Sequence, residues 1–263
     1  MPELPDVEVK RKYIEKTSLN RKIESVAAPK TRVLRNVTPA SLDKGLRGLK
    51  FVSTKRRAKF ILIGTDHGGT LLMHFGMTGD VAFHKKGESE AKYTKAEFRF
   101  AGGGALDFSD PRMFGRIALY DTTDEKEIPD VRDLGPEPLD RSFTLKRFSS
   151  IVRSHNTTIH QLLMEQNLIA GIGNIYSDEI TYQARVLPYR KTADLSDEEV
   201  RRLYDKMKWS LAEAIKLDAE LDGHSNRFLI PNRGKGGECP HGHPLTSRTI
   251  GGRTIWFCTE EQK

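Results

Sequence analysis

Apolar residues recur along the chain in patterns that change with position, and each pattern predicts a different kind of element. Val7 and Ile14 lie two helical turns apart after Pro5, which indicates an amphipathic helix near the N-terminus. Short apolar or alternating runs follow between residues 51 and 120, separated by the Gly, Asp and Lys residues typical of antiparallel strand pairs. These runs are Phe60–Ile63, Gly69–Phe75, Ala96–Phe100, Ala105–Phe108 and Gly115–Tyr120. The region is predicted to form an all-β sandwich or barrel.

The run from Ala96 to Phe100 has the clearest period of two. Its apolar residues alternate with Glu97 and Arg99. Because successive side chains of a strand point to opposite faces, one face is expected to be buried and the face of these two charged residues to be wet.

The composition turns helical beyond the proline-rich stretch Leu134–Pro138, which marks a boundary. A shared helical face is predicted for Ile159, Leu162, Leu163 and Gln166. Ser196 and Glu199 have the spacing of a capping box and are predicted to open a long amphipathic helix. Its apolar residues are Val200, Leu203, Met207, Leu211 and Ile215. The last stretch, Glu238–Lys263, is predicted to be a compact hairpin-like unit.

Composition narrows the classes of protein. A chain of 263 residues with 37% hydrophobic residues can bury a core, so wholesale disorder is excluded. Two cysteines cannot form a disulfide framework, and so low a count suits a reducing compartment. No apolar run approaches the ~20 residues of a bilayer span, and the acidic, proline-broken start is unlike a secretory signal. Membrane and secreted roles are set aside in favour of a cytoplasmic one.

The charge balance indicates an anionic partner. The formal net charge is +7, and nucleic acid is the commonest large polyanion in a cell. Four cations fall within five residues directly before the apolar run Phe60–Ile63, namely Lys55, Arg56, Arg57 and Lys59. This spacing predicts a strand with a positive patch at its entrance.

The first residues offer a nucleophile. If Met1 is removed, Pro2 becomes a free secondary amine, and an α-amino group is partly neutral at neutral pH. Its attack on a sugar C1′ gives an imine, as with a Schiff-base lysine, and the adjacent Glu3 can exchange a proton with the sugar. Taken alone, the same residues are equally compatible with an ordinary helix start.

Five motifs occur in order along the chain: Pro2–Glu8, Arg56–Lys59, His74–Gly79, Asp110–Gly115 and Gly171–Tyr176. With them the chain resembles the formamidopyrimidine-DNA glycosylase/endonuclease VIII family over nearly its whole length. The resemblance implies a bifunctional enzyme of base excision repair, which removes a base through an N-terminal proline Schiff base and then cleaves the strand by β- and δ-elimination.

The resemblance also implies an α+β multidomain fold. Residues 1–134 would form an N-terminal helix with an antiparallel β-sandwich, the catalytic domain. Residues 135–225 would form a DNA-binding helix–two-turn–helix domain, and residues 226–263 a zinc-finger-like β-hairpin. The implied partner is double-stranded DNA that contains damaged bases or abasic sites, bound by a monomer associated with the nucleoid.

Site residues carry over by position. Pro2 would be the nucleophile and Glu3 the general acid, while Lys59 would contact the phosphate beside the damaged nucleotide. Further DNA contacts are implied for His74, Met77, Arg112, Phe114, Asn174 and Arg253. Three of these, Met77, Arg112 and Phe114, match residues that fill the void left by an extruded base, because a glycosidic bond inside a duplex stack is out of reach.

The Gly171–Asn174 segment resembles the turn of the helix–two-turn–helix element. Asn174 is a plausible N-cap, and the backbone N–H groups that follow it are expected to hold a phosphate. His160 lies where many relatives carry a lysine, so one phosphate contact is expected to be weaker or pH-dependent.

The C-terminal unit departs from the family's four-cysteine zinc ribbon, since each knuckle keeps a single cysteine. The zinc ligands expected here are Cys239, His243, Cys258 and Glu261, with His241 as a substitute, because imidazole and carboxylate also bind tetrahedral zinc. The competing interpretation is a zincless finger held by hydrophobic packing.

Substrate preference is less determined by the motifs. The N-terminal opening and the void-filling residues resemble the formamidopyrimidine branch, but the stretch Asp222–Glu238 does not match the loop that closes over oxidised guanine. Activity is therefore expected on ring-opened purines and oxidised pyrimidines, with an endonuclease VIII-like pyrimidine preference as the alternative. A non-catalytic damaged-DNA-binding protein is the alternative of another class, and a metal-dependent nuclease is disfavoured because no clustered acidic site for magnesium is evident.

Overall fold

The computed structural model describes residues 1–29 and 32–263. The chain forms two compact units. The first consists of Met1–Pro2 and Asp6–Asp133, and the second of Glu3–Pro5 and Leu134–Lys263. The domain boundaries expected at residues 134/135 and 225/226 stay predictions.

The first unit is built from two antiparallel sheets, one with the strand order β1-β6-β7-β5 and the other with the order β2-β3-β4-β8. The helices are α1 (Leu4–Ser18, of which the residues from Asp6 belong to this unit) and α2 (Pro39–Leu46). The strands are β1 (Ile23–Ala27), β2 (Phe51–Arg57), β3 (Phe60–Thr65), β4 (Thr70–His74), β5 (Asp80–His84), β6 (Thr94–Phe100), β7 (Ala105–Ser109) and β8 (Arg116–Tyr120). The expected sandwich with a leading helix is confirmed.

Aromatic rings join the two sheets of this sandwich. The ring of Phe51 on β2 meets the rings of Phe98 and Phe100 on β6 edge-on, with centroids 6.0 and 6.2 Å apart. All three side chains are fully buried, and truncating one such ring costs about 3–5 kcal/mol. The helix residues Val7 and Ile14 are also buried in this core, as their spacing predicted.

The expectation of a wet face on β6 is wrong for one of its two charged residues. The Arg99 side chain is 57% exposed, but Glu97 is buried at 6% exposure. The outer face of this sheet is therefore covered locally rather than open to water.

The second unit is mainly helical. Its helices are α3 (Leu145–Ser154), α4 (Ile159–Met164), α5 (Asn174–Gln183) and α6 (Asp197–Lys216), and its hairpin strands are β9 (Thr246–Ile250) and β10 (Arg253–Phe257). Short 3-10 turns cover Asp222–His224 and Ile230–Asn232. The predicted capping box is present, because the Ser196 side chain accepts from the Glu199 N–H and the Glu199 side chain accepts from the Ser196 N–H.

Helix α4 ends two residues before Gln166, which was expected on its apolar face. The Gln166 amide instead donates to the Ile172 carbonyl and accepts from the Gly171 N–H, at 2.8 and 3.0 Å. It thereby fixes the turn that leads into α5. Among the described residues, every helix is too short or too polar to cross a membrane.

Candidate active site and nucleic-acid interface

The Glu3 carboxylate lies at the first turn of helix α5 and is 1% exposed. Its Oε2 accepts from the backbone N–H groups of Gly173 and Tyr176, at 2.7 and 3.2 Å, and its Oε1 accepts from Ile175 at 2.9 Å. Helix starts leave such N–H groups without intrahelical partners, and a carboxylate there also complements the helix dipole. Glu3 therefore caps a helix that begins 171 positions further along the chain.

Two expectations for this helix start are wrong. The N-cap residue is Gly173, which makes no side-chain capping bond, and Asn174 is the first helical residue. The N–H groups expected to hold a phosphate already donate to Glu3. The Asn174 side chain instead donates through Nδ2 to the Thr254 carbonyl at 2.9 Å, so it links α5 to the hairpin.

Gly171 is required by the close approach of the chain's N-terminal segment. Its φ is +88°, and a Cβ at this position would lie 2.9 Å from Leu4 Cδ1. The Leu4 N–H donates to the Gly171 carbonyl at 3.0 Å. Because Leu4 follows Glu3 directly, this contact places the carboxylate at the helix start.

His160 is fully buried, and the weaker or pH-dependent phosphate contact expected at this position stays a prediction. Its Nε2 lies 3.1 Å from Asn174 Oδ1, which can only accept, so Nε2 carries the proton. Burial lowers the pKa of His160 to about 4, and the nearby guanidinium groups of Arg233 and Arg253 act in the same direction. The imidazole is therefore neutral at physiological pH and orients the Asn174 amide.

We expect acid to destabilise the protein partly through His160. The pKa of its imidazole falls from 6.5 to about 4 on folding, so below pH 6.5 the unfolded chain binds a proton that the folded chain does not. The contribution of His160 to the free energy of unfolding is therefore fully present above pH 6.5 and falls as the pH drops toward 4. The loss is about 2 kcal/mol at pH 5. Thermal unfolding of His160→Gln between pH 7 and 5 should show a flatter pH dependence, whereas His67→Gln, at an exposed turn, should follow the unaltered protein.

Half-buried Arg233 pairs with the buried carboxylate of Asp178, a contact that the sequence did not reveal. Arg233 Nε lies 2.6 Å from Asp178 Oδ2, and the same oxygen accepts from the Trp256 N–H at 3.0 Å. Arg233 also donates to the Thr254 carbonyl at 3.0 Å. Burial raises the pKa of Asp178, and the guanidinium opposes that rise. The pair ties the segment before the hairpin to both α5 and β10.

The basic hairpin β2–β3 presents Lys59 at its turn, as predicted. The preceding residue, Ala58, has a φ of +53°, a region that residues with a Cβ rarely adopt. Arg56 holds the turn by donating to the Ala58 carbonyl at 3.1 Å and pairing with Glu8 at 3.2 Å. Lys59 itself is half-buried. Backbone strain of this kind is characteristic of functional turns.

His74 stands at the end of β4 with its ring packed on Phe60, at a centroid distance of 4.8 Å. Its Nδ1 accepts from the Gly76 N–H at 3.2 Å. Burial lowers the pKa of His74 to about 4, with further lowering from Arg116 and Lys59. This histidine is therefore neutral and anchors the loop that follows it; its expected DNA contact stays a prediction.

Met77 and Phe114 are exposed on two neighbouring loops of the first unit, with exposed fractions of 43% and 46%. The buried carboxylate of Asp110 joins these loops, because it accepts from Thr78 Oγ1 at 2.6 Å and from the Gly115 N–H at 2.7 Å. Large apolar side chains grouped together at the surface are typical of a binding site. The position of Met77 in an exposed turn, predicted from its Gly-rich surroundings, is confirmed.

Arg112 and Phe114 already contact one another. The Arg112 guanidinium lies 5.1 Å from the Phe114 ring centroid, and Arg32 lies 5.2 Å from the same ring. Arg32 also donates to the carbonyls of Arg112 and Met113, at 2.9 and 3.0 Å, and Met113 has a φ of +54°. Arg32 was missed in the sequence because no motif contains it, although it supports the whole loop.

The C-terminal hairpin turns at Gly251 and Gly252, both with positive φ, and presents Arg253 exposed beside them. At its base, the donor atoms of Cys239, His243 and Cys258 lie within 4.8 Å of one another. The separation of Cys239 Sγ and His243 Nδ1 is 3.7 Å, close to the roughly 3.6 Å between a sulfur and a nitrogen bound to one tetrahedral zinc. These three residues therefore fit a metal ion.

Glu261 lies beside this cluster. Its Oε1 is 3.5 Å from His243 Nδ1 and 2.9 Å from His241 Nδ1. The predicted fourth ligand and its substitute thus contact each other, and Glu261 also lies beside one of the three donors, His243.

Comparisons with protein families agree with this arrangement. Residues 1–117 match the model of the formamidopyrimidine-DNA glycosylase N-terminal domain. Residues 134–224 match the model of the formamidopyrimidine-DNA glycosylase H2TH domain.

Individual relatives match over the full length. The formamidopyrimidine-DNA glycosylase of Desulfitobacterium hafniense is 32% identical over 269 residues, which cover 98% of each chain. A solved Lactococcus lactis FPG mutant in complex with DNA containing Fapy-dG has a TM-score of 0.90 at 29% identity and covers 100% of both chains. The Lactococcus lactis enzyme bound non-covalently to DNA with an AP site has a TM-score of 0.88 at 29% identity and covers 99% of both chains.

Proposed function

Because the chain belongs to the formamidopyrimidine-DNA glycosylase family, we propose that it removes ring-opened purines and oxidised pyrimidines from double-stranded DNA and then cleaves the strand at the abasic sugar. DNA glycosylase activity in base excision repair follows from the family. The lesion classes and the lyase step are the proposal. The observation that supports it most is the buried Glu3 carboxylate, held by three backbone N–H groups directly after Pro2.

The proposed reaction begins at the Pro2 nitrogen, which attacks C1′ of the damaged nucleotide. The C1′–N bond to the base breaks as the new C1′–N bond forms, and the departing base takes up a proton. Ring opening of the sugar then gives an iminium ion between Pro2 and C1′. Loss of a C2′ proton with departure of the 3′ phosphate, followed by loss of a C4′ proton with departure of the 5′ phosphate, cleaves the strand. Water then hydrolyses the iminium ion and frees the Pro2 nitrogen. We assign proton exchange with the sugar to Glu3 and contact with the adjacent phosphate to Lys59.

The exposed pair on the two loops suits the void left by a flipped nucleotide. We propose that Met77 and Phe114 wedge into the base stack and that Arg112 hydrogen-bonds the orphaned partner base. The Asp110 carboxylate would keep the two loops in register as they enter the duplex.

We assign the contacts with the DNA phosphates to two cations, Lys59 and Arg253, and to the side-chain amide of Asn174. His74 would support its own loop. The protein would bind as a monomer, in the cytoplasm, where the chromosome lies. Because these contacts displace counterions, affinity should weaken steeply with salt.

We propose that Cys239, His243 and Cys258 hold a structural zinc ion, with Glu261 as the fourth ligand. The ion would fix the base of the hairpin that presents Arg253, and it supplies no catalytic chemistry there. Purified protein is expected to contain zinc in a fixed molar ratio to the polypeptide. Cys258→Ser should lose this zinc and unfold at a lower temperature, whereas Ser247→Ala, on an exposed strand position of the same hairpin, should keep it. Zinc-free protein of unchanged stability would contradict the assignment.

A panel of duplexes with one lesion each tests the proposed specificity. Release of ring-opened purines and oxidised pyrimidines is expected to be faster than release of intact oxidised guanine, since the segment between α6 and the hairpin forms only short 3-10 turns. Strong preference for oxidised guanine opposite cytosine would overturn this specificity. Absence of base release from every lesion would overturn the function itself.

A further inference from the structure

Three potential metal ligands lie on adjacent strands of the sandwich, in the sheet that contains the buried Glu97. Glu97 on β6 stands directly opposite Asp107 on β7, and Asp107 stands opposite Ala82 on β5. His84 follows Ala82 by two residues and so shares its face. Phe98 and Leu106, the neighbours in sequence, pack into the core on the other face. The three polar side chains therefore meet on the outer face of this sheet.

Burial of this cluster is costly unless a cation joins it. Asp107 is 0% and Glu97 is 6% exposed, and like charges directly opposite each other on paired strands are destabilising. Arg99 Nε lies 2.7 Å from Glu97 Oε2 and offsets one carboxylate. A second positive charge at Asp107 would relieve the repulsion that remains.

The geometry has the spacing of shared metal ligation. His84 Nε2 lies 3.4 Å from Glu97 Oε1 and 3.6 Å from Asp107 Oδ2. Two ligand atoms about 2.1 Å from one tetrahedral ion are roughly 3.4 Å apart. Both His84 Nε2 and Asp107 Oδ1 are buried without a hydrogen-bond partner, which is rare for polar atoms in a folded protein.

The segment after β5 covers the site. The Ala91 N–H donates to Asp107 Oδ2 at 2.7 Å, and the cluster borders a cavity of about 680 Å³ lined by Lys85, Lys86, Glu88 and Glu90. The cavity provides an entry path for an ion and room for water ligands.

We propose that His84, Glu97 and Asp107 bind a divalent transition-metal ion, of the Zn²⁺ or Mn²⁺ type, which accepts mixed nitrogen and oxygen ligands. The site shares no residue with the cysteine-containing cluster or with the residues assigned to DNA. Its ion joins the strands β5, β6 and β7 and stabilises the folded state by binding to it alone.

Metal stoichiometry after chelation and re-addition of Zn²⁺ tests the proposal, measured by mass spectrometry of the metal. The His84→Gln protein should bind one equivalent of Zn²⁺ less than the unaltered chain, because only the sheet site is changed. The cysteine-containing cluster is the same in both proteins and binds the same amount of metal. His67→Gln, which removes an exposed histidine of the same unit, should bind as much as the unaltered protein. Equal stoichiometry in His84→Gln and the unaltered chain overturns the proposal.

Manganese supplies a second measurement that does not depend on the folding of a variant. Mn²⁺ favours oxygen and nitrogen over thiolate ligands, so a titration of Mn²⁺ into the chelated, unaltered chain reports the sheet site. Binding is measured as the decrease of the paramagnetic resonance signal of free Mn²⁺. One saturable equivalent is expected. In Asp107→Asn its affinity should fall by more than the roughly 10–100-fold typical of losing a supporting partner. No saturable Mn²⁺ binding in the unaltered chain overturns the proposal.

Discussion

An extension left in front of Pro2 is expected to abolish strand cleavage. The extension converts the Pro2 nitrogen to an amide, whose lone pair is delocalised and cannot attack C1′. The nicking rate on a duplex with one abasic site should fall by at least about 10³-fold, which corresponds to about 4 kcal/mol of lost transition-state stabilisation. Borohydride should trap no covalent adduct between the extended chain and the DNA.

The matched control is the same chain after proteolytic removal of the extension to leave Pro2 first. It should regain both nicking and trapping, whereas an equal extension after Lys263 should reduce neither. Intact-mass measurement verifies the N-terminus of each sample, because residual Met1 would block Pro2 in the same way. If the extended chain nicks at the rate of the processed one, Pro2 is not the nucleophile.

Glu3→Gln is expected to slow base removal by about 10²–10⁴-fold, the range for loss of a positioned acid or base. The amide keeps one acceptor oxygen but turns an NH₂ group toward N–H donors that now bond to the carboxylate. Leaving a buried donor unpaired costs about 1–3 kcal/mol. The variant should therefore also unfold at a lower temperature.

A comparison of two substrates separates these two effects. On DNA with a preformed abasic site the base has already departed, so Glu3→Gln should still give a borohydride-trapped adduct through Pro2. A merely structural defect would reduce base removal and trapping alike. Glu198→Gln, an exposed carboxylate at the start of α6, should leave both unchanged. Normal base removal by Glu3→Gln would exclude the acid–base role.

Local sequence patterns were sufficient for most elements. Short apolar or alternating runs after residue 51 predicted the strands β3, β4, β6, β7 and β8, because such runs between turn residues are a local signal. The strands β1 (Ile23–Ala27) and β5 (Asp80–His84) were not predicted, because neither shows a regular alternation of apolar and polar residues. The capping box at Ser196 succeeded because both of its partners lie within one turn.

What failed depended on partners distant in sequence. Asn174 has a good residue type for an N-cap, but a carboxylate from the other end of the chain occupies those donors. Glu97 follows the solvent-facing alternation, yet it is buried, with His84 of β5 3.4 Å away. Arg233 lies in a Gly- and Asn-rich stretch that gave no hint of its buried partner 55 residues earlier. Each case is a tertiary contact that overrides a local preference.

Because the first turn of α5 holds the Glu3 carboxylate, the proposed acid–base step requires this one helical turn to stay folded. The N–H groups of Gly173, Ile175 and Tyr176 donate to the Glu3 carboxylate, so an opening of this turn that lets their protons exchange with solvent also releases the acid. Fraying at a helix terminus costs far less free energy than global unfolding. On heating, base release should therefore be lost at the temperature at which these three amides begin to take up deuterium. This temperature should lie well below that at which the aromatic core of the sandwich unfolds.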